Sequence, residues 1–273
     1  MRCLYVDLDG TLLGPGGSLL HGGEGSFELL GARALEACAR VGAEVVLMSG
    51  RRKAQVHEAA RLIGQSAYVY EAGAALVLDG EEHWLTGEFQ PGERSIHDQI
   101  ADSGAPALLL ERYAGRLEYH DPWHREREVS HLFRGVLDVA QADALLAEHR
   151  HGALRLLDNG AARRHSPALE ALADRLRVYH LVPKGASKAR AVARHMQARG
   201  FAPAECIAVG DSREDLAVAA VLGAFWLVAN ASEHDPTLGA AITAHDNVRV
   251  AEQGYGAGVY EAVMTTLAER GGS

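Results

Sequence analysis

The stretch that decides the fold is Leu4-Tyr5-Val6-Asp7-Leu8-Asp9-Gly10-Thr11, near the start of the chain. Its first three residues are apolar and favour a buried β-strand, which runs directly into two carboxylates. Buried carboxylates repel each other and lose hydration, so stability alone does not explain such a pair. Residues two apart in an extended chain point the same way, so Asp7 and Asp9 can approach one site, and Gly10 allows a sharp turn after them. The stretch therefore suits a divalent cation, a nucleophile and a proton shuttle in one place.

Strand-like and helical segments alternate after this stretch. A helical pattern near 26–41 precedes an apolar strand at Glu44–Met48, and a second helix is expected up to about Ile63. The same alternation resumes near Val182 and ends in a helix near Val259–Glu269. Alternating strands and helices predict an α/β fold, in which a Rossmann-like parallel sheet carries helices on both faces.

The middle of the chain has a different pattern, a helix followed by a hairpin, which occurs twice. The first copy is a helix near Glu93–Ser103 followed by a strand at Ala107–Glu111. In the second copy, a strand at Leu154–Leu157 leads to Asp158-Asn159-Gly160, a sequence that favours a tight hairpin turn. We therefore predict an inserted α+β cap with an antiparallel sheet over 79–181, and a catalytic core over 1–78 plus 182–273.

Composition limits the classes of function. The chain has 273 residues and a formal net charge of -9, which argues against a nucleic-acid or anionic-membrane binder. Its longest apolar stretch, 217–229, is too short to cross a bilayer. The first strand begins at once, without a basic leader, so we predict a cytoplasmic protein. The oligomeric state stays open.

Polar residues follow three of the predicted core strands. They are Asp7, Asp9 and Thr11 after the first, Ser49-Gly50-Arg51 after the second, and Asp211 with Asp215 after a later one. Ligands of open α/β sheets bind at this carboxyl edge, so the three groups are expected to meet there.

Lysine is rare in this chain, and two of its three lysines, Lys184 and Lys188, lie in one short segment. Lys188 is expected at the start of a helix and Lys184 on the loop before it. From position alone, either lysine could belong to the site.

Together these residues resemble the four motifs of the haloacid dehalogenase superfamily, most of whose members are phosphohydrolases. Asp7-x-Asp9-Gly10-Thr11 is similar to the first motif, Ser49 to the second, Lys188 to the third, and 210–215 to the fourth. The position of the cap, between the second and third motifs, resembles the Cof-type branch, which includes sucrose-phosphate phosphatases.

The resemblance implies a Mg²⁺-dependent phosphatase of a small phosphorylated metabolite, such as a sugar phosphate or a phosphoglycerate derivative. Asp7 would attack phosphorus to form an aspartyl-phosphate, and Asp9 would act as general acid and base. Ser49, the Gly50 amide and Lys188 would bind the phosphoryl group. The metal would be held by Asp7, the Asp9 backbone carbonyl, Asp211 and Asp215. Thr11 and Arg51 would support the site.

The chain departs from the family pattern at two places. Glu71-Ala72-Gly73-Ala74 stands where relatives commonly carry Asn-Gly-Ala, and Ala72 cannot make the side-chain hydrogen bond that an Asn would make. Glu214 stands where many relatives carry Asn. A set of cap arginines could meet a second anionic group of the substrate, or could be solvated or paired with nearby carboxylates. These arginines are Arg125, Arg127, Arg134, Arg163 and Arg164.

Three alternative functions stay open at this point. A phosphomutase would use the same aspartyl-phosphate but return the phosphoryl group to a sugar. A phospho-Asp signalling switch is disfavoured by Asp9, because a general base would hydrolyse the acyl phosphate. A catalytically inactive binding protein is disfavoured because every motif residue is present.

Overall fold

The structure is a computed structural model, and it describes residues 1–162, 166–235 and 238–271. Its strands are β1 Cys3–Asp7, β2 Glu44–Met48, β3 Tyr68–Tyr70, β4 Ala75–Leu78, β5 Glu81–Trp84, β6 Leu117–Tyr119, β7 His131–Gly135, β8 Leu154–Ala161, β9 Arg177–Pro183, β10 Cys206–Gly210, β11 Ala224–Leu227 and β12 Val248–Val250. Its α-helices are α1 Leu30–Arg40, α2 Lys53–Leu62, α3 Ile96–Asp102, α4 Ala105–Arg112, α5 Val139–Glu148, α6 Lys188–Arg199, α7 Arg213–Leu216, α8 Ala231–His234, α9 Leu238–Ile242 and α10 Tyr255–Gly271.

The larger sheet has the order β12-β11-β10-β1-β2-β3-β4-β5. Strands β12 to β3 are parallel, and β4 and β5 continue the sheet in antiparallel pairs. Because β1 pairs with β2 on one side and β10 on the other, the strand order reverses beside β1. A crevice that binds ligands is expected at such a point.

The side chains of β1 alternate between two apolar cores on opposite faces of this sheet. Leu4 and Val6 pack in the core that contains α1, α2 and α10, whereas Cys3 and Tyr5 pack in the core that contains α6. Asp7 has the parity of Cys3 and Tyr5, so its side chain lies on the α6 side. This alternation brings the last residue of β1 toward the start of α6.

A second, antiparallel sheet of order β6-β7-β9-β8 carries a third apolar core with α3, α4 and α5. The α/β core and the additional antiparallel layer confirm the predicted fold class. The proposed boundaries, core 1–78 plus 182–273 and cap 79–181, stay a proposal. Strand β5 at Glu81–Trp84 lies in the larger sheet, and β9 extends the smaller sheet to Pro183.

Two local predictions in the cap are wrong. The apolar run Ala107–Glu111 is not a strand but part of α4, which begins after Gly104 with Pro106 in its first turn. A short apolar run fits a strand or a buried helix equally well, and Pro near a helix start favours the helix.

The sequence Asp158-Asn159-Gly160 does not form a hairpin, because β8 continues through it to Ala161. The pairing of β8 with β9 shifts register between Asp158 and Ala161. The N–H of Gly160 donates to Asp158 Oδ1 at 2.9 Å, and Gly160 has φ 90°. The local turn chemistry therefore produces a bulge within the strand.

The other elements lie near their predicted positions. The last helix begins earlier than expected, at Tyr255. No helix among the described residues is long and apolar enough to cross a membrane.

At Gly73, the turn after β3 packs closely against the start of α6. Its φ is 89°, and a Cβ built on it would lie 2.1 Å from the Ser187 carbonyl carbon and 2.4 Å from Lys188 N. The Ser187 N–H also donates to Gly73 O at 3.2 Å. This close backbone contact requires glycine, and it fixes the position from which Lys188 enters the sheet edge.

We expect Gly73→Ala to lower the free energy of unfolding by about 3 kcal/mol or more, because the added methyl group must displace backbone atoms. The matched control is Gly80→Ala, since Gly80 has φ 86° with no atom near its Cβ position. The control carries only left-handed strain, about 1–2 kcal/mol. Urea unfolding measures both; equal losses would contradict the close contact.

Candidate active site

Lys188 lies at the centre of the site. It is the first residue of α6, and its side chain is 2% exposed. Its Nζ donates to Asp7 Oδ1 and to Asp215 Oδ1, each at 2.6 Å. The structure thus places Lys188 against the first strand, whereas Lys184 is exposed on the preceding loop.

Burial shifts the pKa values of Asp7 and Lys188 in opposite directions. It raises the pKa of Asp7, and the negative charge of Asp215 raises it further. The positive charge of Lys188 opposes the increase, and the resulting pKa of Asp7 is about 7. Burial alone would lower the pKa of Lys188, but Asp215 and Asp7 outweigh it and the pKa is raised. The lysine therefore stays charged, while the carboxylates around it carry an excess of negative charge.

Asp7, Asp211 and Asp215 form an acidic cluster. One carboxylate oxygen from each lies within 4.8 Å of the others. Asp215 is held in place by its own loop, because its Oδ2 accepts hydrogen bonds from Ser212 Oγ at 2.6 Å and from the Ser212 N–H at 3.2 Å. Three carboxylates against one ammonium leave two negative charges, which fits a single divalent cation with hard oxygen ligands.

The second motif forms a compact loop after β2. Ser49 is buried, and its Oγ accepts a hydrogen bond from the Arg51 N–H at 3.1 Å, so the hydroxyl proton can be donated to a ligand. Its own N–H and C=O are bonded to Val69 O and the Ala72 N–H, both at 3.0 Å. Gly50 O accepts from Arg127 Nη1 of the cap at 3.1 Å.

Asp9 is more exposed than Asp7 and has a different partner. Its side chain is 51% exposed, and Arg51 holds it in a bidentate ion pair with Nε–Oδ2 and Nη2–Oδ1 distances of 2.6 Å. The Asp9 carboxylate does not belong to the acidic cluster described above; the metal contact predicted for its backbone carbonyl stays a prediction. Thr11 is fully buried in the turn after β1, and its N–H donates to Leu8 O at 3.3 Å.

Asn230 supports the first loop, and the sequence analysis missed it. It is buried, its Nδ2 donates to Gly10 O at 2.8 Å, and its Oδ1 accepts from the Tyr255 N–H at 2.8 Å. A polar residue shortly after β11 at the same sheet edge was the signal that could have found it.

Glu71 joins the core to the cap. It is fully buried in the turn after β3, with φ 46°. Its carboxylate accepts three consecutive cap N–H groups, Glu128 at 2.8 Å, Val129 at 3.1 Å and Ser130 at 2.6 Å, and the Ser130 hydroxyl at 2.9 Å. Within the segment that departs from the family pattern, Glu71 is therefore a cap anchor.

The second departure also faces the cap. Glu214 Oε1 lies 3.9 Å from Arg155 Nη2 of β8 and 3.4 Å from the Lys188 N–H. Burial raises its pKa, and Arg155 and Lys188 oppose that increase.

The cap arginines divide into three groups. Arg125 and Arg134 pair with the cap carboxylates Asp121 at 2.7 Å and Glu118 at 2.5 Å. Arg127 is buried and donates to Trp123 O, Gly50 O and Ser130 Oγ. Arg163 and Arg164 lie outside the described residues.

The amino-acid sequence is similar to those of known hydrolases. Residues 146–247 match the family model of haloacid dehalogenase-like hydrolases. A phosphoglycolate phosphatase of Methanoculleus marisnigri is 26% identical over 96% of this chain and 95% of its own length. A phosphoglycolate phosphatase of Halorubrum lacusprofundi is 29% identical over 84% of each chain.

Solved structures show the same fold along nearly the whole chain. The sucrose-phosphatase of Synechocystis aligns with a TM-score of 0.64 at 14% identity, over 97% of this chain and 98% of its own. The Thermoplasma acidophilum protein 0175 aligns with a TM-score of 0.62 at 18% identity, over 98% of each chain. The comparisons therefore support a phosphatase similar to the haloacid dehalogenase-like hydrolases, in agreement with the resemblance of the four motifs.

Proposed function

We propose that the protein is a Mg²⁺-dependent phosphatase that hydrolyses a small phosphorylated metabolite through an aspartyl-phosphate on Asp7. The observation that carries this proposal is the buried contact of Lys188 with Asp7 and Asp215 at the carboxyl edge of the sheet. This contact orients one carboxylate beside a fixed positive charge, next to the phosphate-binding loop at Ser49.

The acidic cluster suits the metal. Asp7 and Asp211 would hold Mg²⁺, with Asp215 nearby and the Asp9 carbonyl as the further ligand implied by the family. When bound, the cation would neutralise negative charge on the phosphoryl group during the displacement.

The remaining steps use the chain's own residues. A carboxylate oxygen of Asp7 forms a bond to phosphorus as the bond to the leaving oxygen breaks, and Asp9 gives its proton to that oxygen. Asp9 then accepts a proton from the water that cleaves the aspartyl-phosphate. Ser49 Oγ, the Gly50 N–H and Lys188 Nζ stabilise the transferring group.

Arg51 holds the carboxylate on which the proposed proton transfer depends, that of Asp9. The bidentate guanidinium occupies both carboxylate oxygens of Asp9, so Asp9 has to leave Arg51 before it can give a proton to the leaving oxygen. An incoming phosphoryl dianion is a competing partner for the same guanidinium. We propose that substrate binding itself loosens the Arg51–Asp9 pair.

We expect Asp7→Asn to lower turnover of p-nitrophenyl phosphate by at least about 1,000-fold, because the amide is a poor nucleophile. Release of free inorganic phosphate with Mg²⁺, against EDTA, measures the activity, and the same assay with a hexose phosphate separates a hydrolase from a mutase. Asp102→Asn, at an exposed cap carboxylate, is the matched control and should keep full activity. Full activity in Asp7→Asn would refute the nucleophile assignment.

The raised pKa of Asp7 predicts how metal-free stability depends on pH. The folded-state value of about 7 exceeds the ordinary value of 3.8, so the folded protein binds an extra proton between them. That contribution to stability is present below pH 3.8 and is lost as pH rises through 7. Mg²⁺ competes with this proton, so its stabilising effect should grow from about pH 5 to about pH 8.

Thermal unfolding of the wild type and of Asp7→Asn, each in EDTA and in Mg²⁺, measures this effect. In EDTA, the difference in stability between the two proteins should change with pH across this window. A difference that is constant with pH would contradict the raised pKa.

A further inference from the structure

His180 is a buried cap residue that faces the phosphate-binding loop. It belongs to β9, is 1% exposed, and a Cβ built on Gly50 would lie 2.8 Å from its Nε2. Its Nδ1 lies 3.2 Å from Ser130 Oγ, while Nε2 makes no hydrogen bond to any residue that the structure describes. One ring nitrogen is thus engaged within the cap, and the other is directed at the site.

The neighbours of His180 determine which nitrogen carries the proton. The Glu71 carboxylate receives three backbone N–H groups, so it acts as an acceptor, and the single proton of Ser130 Oγ is donated to it. Arg127 Nη1 also donates to Ser130 Oγ, at 3.0 Å. Since Ser130 Oγ has no second proton to give, the hydrogen bond between it and His180 must be donated by an N–H at His180 Nδ1.

The tautomer follows from this chain of contacts. Burial lowers the pKa of His180 well below its ordinary value, and the nearby charges of Arg127 and Lys188 lower it further. The imidazole is therefore neutral, with its proton on Nδ1 and a lone pair on Nε2. A lone pair accepts a hydrogen bond from a hydroxyl group and repels a carboxylate.

We infer that His180 Nε2 accepts a hydrogen bond from a hydroxyl of the leaving group, and thereby selects sugar or polyol phosphates over phosphorylated carboxylic acids. This inference rests on the proposed phosphatase function and names its substrate class. It separates the chain from the relatives named phosphoglycolate phosphatase, because phosphoglycolate ends in a carboxylate.

The kinetic test uses phosphate esters matched in length. 2-Hydroxyethyl phosphate, ethyl phosphate and 2-phosphoglycolate share the phosphate–O–CH₂ group and end in a hydroxymethyl, methyl or carboxylate group. Glycerol 3-phosphate with propyl phosphate, and sorbitol 6-phosphate with hexyl phosphate, extend the comparison to longer leaving groups. We expect the best substrate to carry hydroxyls and to exceed its alkyl counterpart about tenfold in kcat/KM.

His180→Phe retains a buried ring but removes the acceptor. The ratio of kcat/KM between the hydroxyl ester and its alkyl counterpart should fall toward one in this variant. His131→Phe, at a buried histidine of β7 whose Nε2 is 2.9 Å from His97 O, is the matched control and should keep the wild-type ratio. An unchanged ratio in His180→Phe, or a preference for 2-phosphoglycolate, would overturn the inference.

The two proposals fail differently. If the wild type releases no phosphate from any ester, including p-nitrophenyl phosphate, the phosphatase function itself fails. If it releases phosphate without a hydroxyl preference, only the role of His180 fails.

A measurement without kinetics tests the tautomer directly. In ¹⁵N-histidine-labelled wild-type protein, the His180 resonances should be those of a neutral ring with protonated Nδ1 and unprotonated Nε2. Ser130→Ala removes the hydroxyl that fixes this tautomer. The fraction of His180 rings with the proton on Nδ1 should therefore fall in this variant. A proton on Nε2 in the wild type would refute the inference even if His180→Phe failed to fold.

Discussion

The buried ammonium of Lys188 is the interaction on which the rest of this structure depends. It lies between Asp7 and Asp215, each 2.6 Å away, where unpaired charges would be costly to desolvate. Three separate parts of the chain must meet to make this contact: the end of β1, the start of α6 and the short helix α7 after β10. The alternation of β1 side chains, the close approach of Gly73 and the Ser212–Asp215 hydrogen bonds are all conditions for that meeting. The stability of the sheet edge and the reactivity of Asp7 are therefore two consequences of one arrangement of charges.

The departures from the family pattern have a common physical meaning. Glu71 lies in the segment that departs from that pattern, Glu214 stands where many relatives carry Asn, and both direct a carboxylate at the cap. Glu71 accepts three consecutive N–H groups, and such charge-assisted bonds are about twice as strong as neutral ones. Glu214 lies between Arg155 of the cap and the first turn of α6. The chain thus uses positions next to its sequence motifs to hold the cap, so the cap and the proposed phosphate-binding loop after β2 are mechanically linked.

The sequence predicted those features that depend on neighbouring residues. The first strand, the polar residues that follow it, and the lysine at a helix start are local patterns, and the structure brings Asp7, Lys188, Asp211 and Asp215 together. The catalytic roles assigned to them stay predictions. Local patterns failed in the cap, where Ala107–Glu111 was ambiguous between strand and helix and the Asn-Gly pair formed a bulge. Asn230 and His180 escaped notice for another reason: each acts across the fold on Gly10 or Gly50, and sequence separation hides such contacts.

The path of β9 connects the two halves of the proposed chemistry. This strand carries His180 in the cap sheet and then leads through a short loop to Lys188, which contacts Asp7, the proposed nucleophile. Backbone contacts hold the loop, because the Lys184 N–H donates to Ala153 O at 2.8 Å, Arg155 donates to Ala186 O at 2.6 Å, and Ser187 is bonded to Gly73. A movement that separated His180 from the phosphate-binding loop would therefore have to break contacts that also position Lys188. The same segment thus carries both His180, which is proposed to meet the leaving alcohol, and Lys188, which orients the Asp7 carboxylate. In the proposed reaction, the backbone would therefore couple recognition of the alcohol to the geometry of phosphoryl transfer.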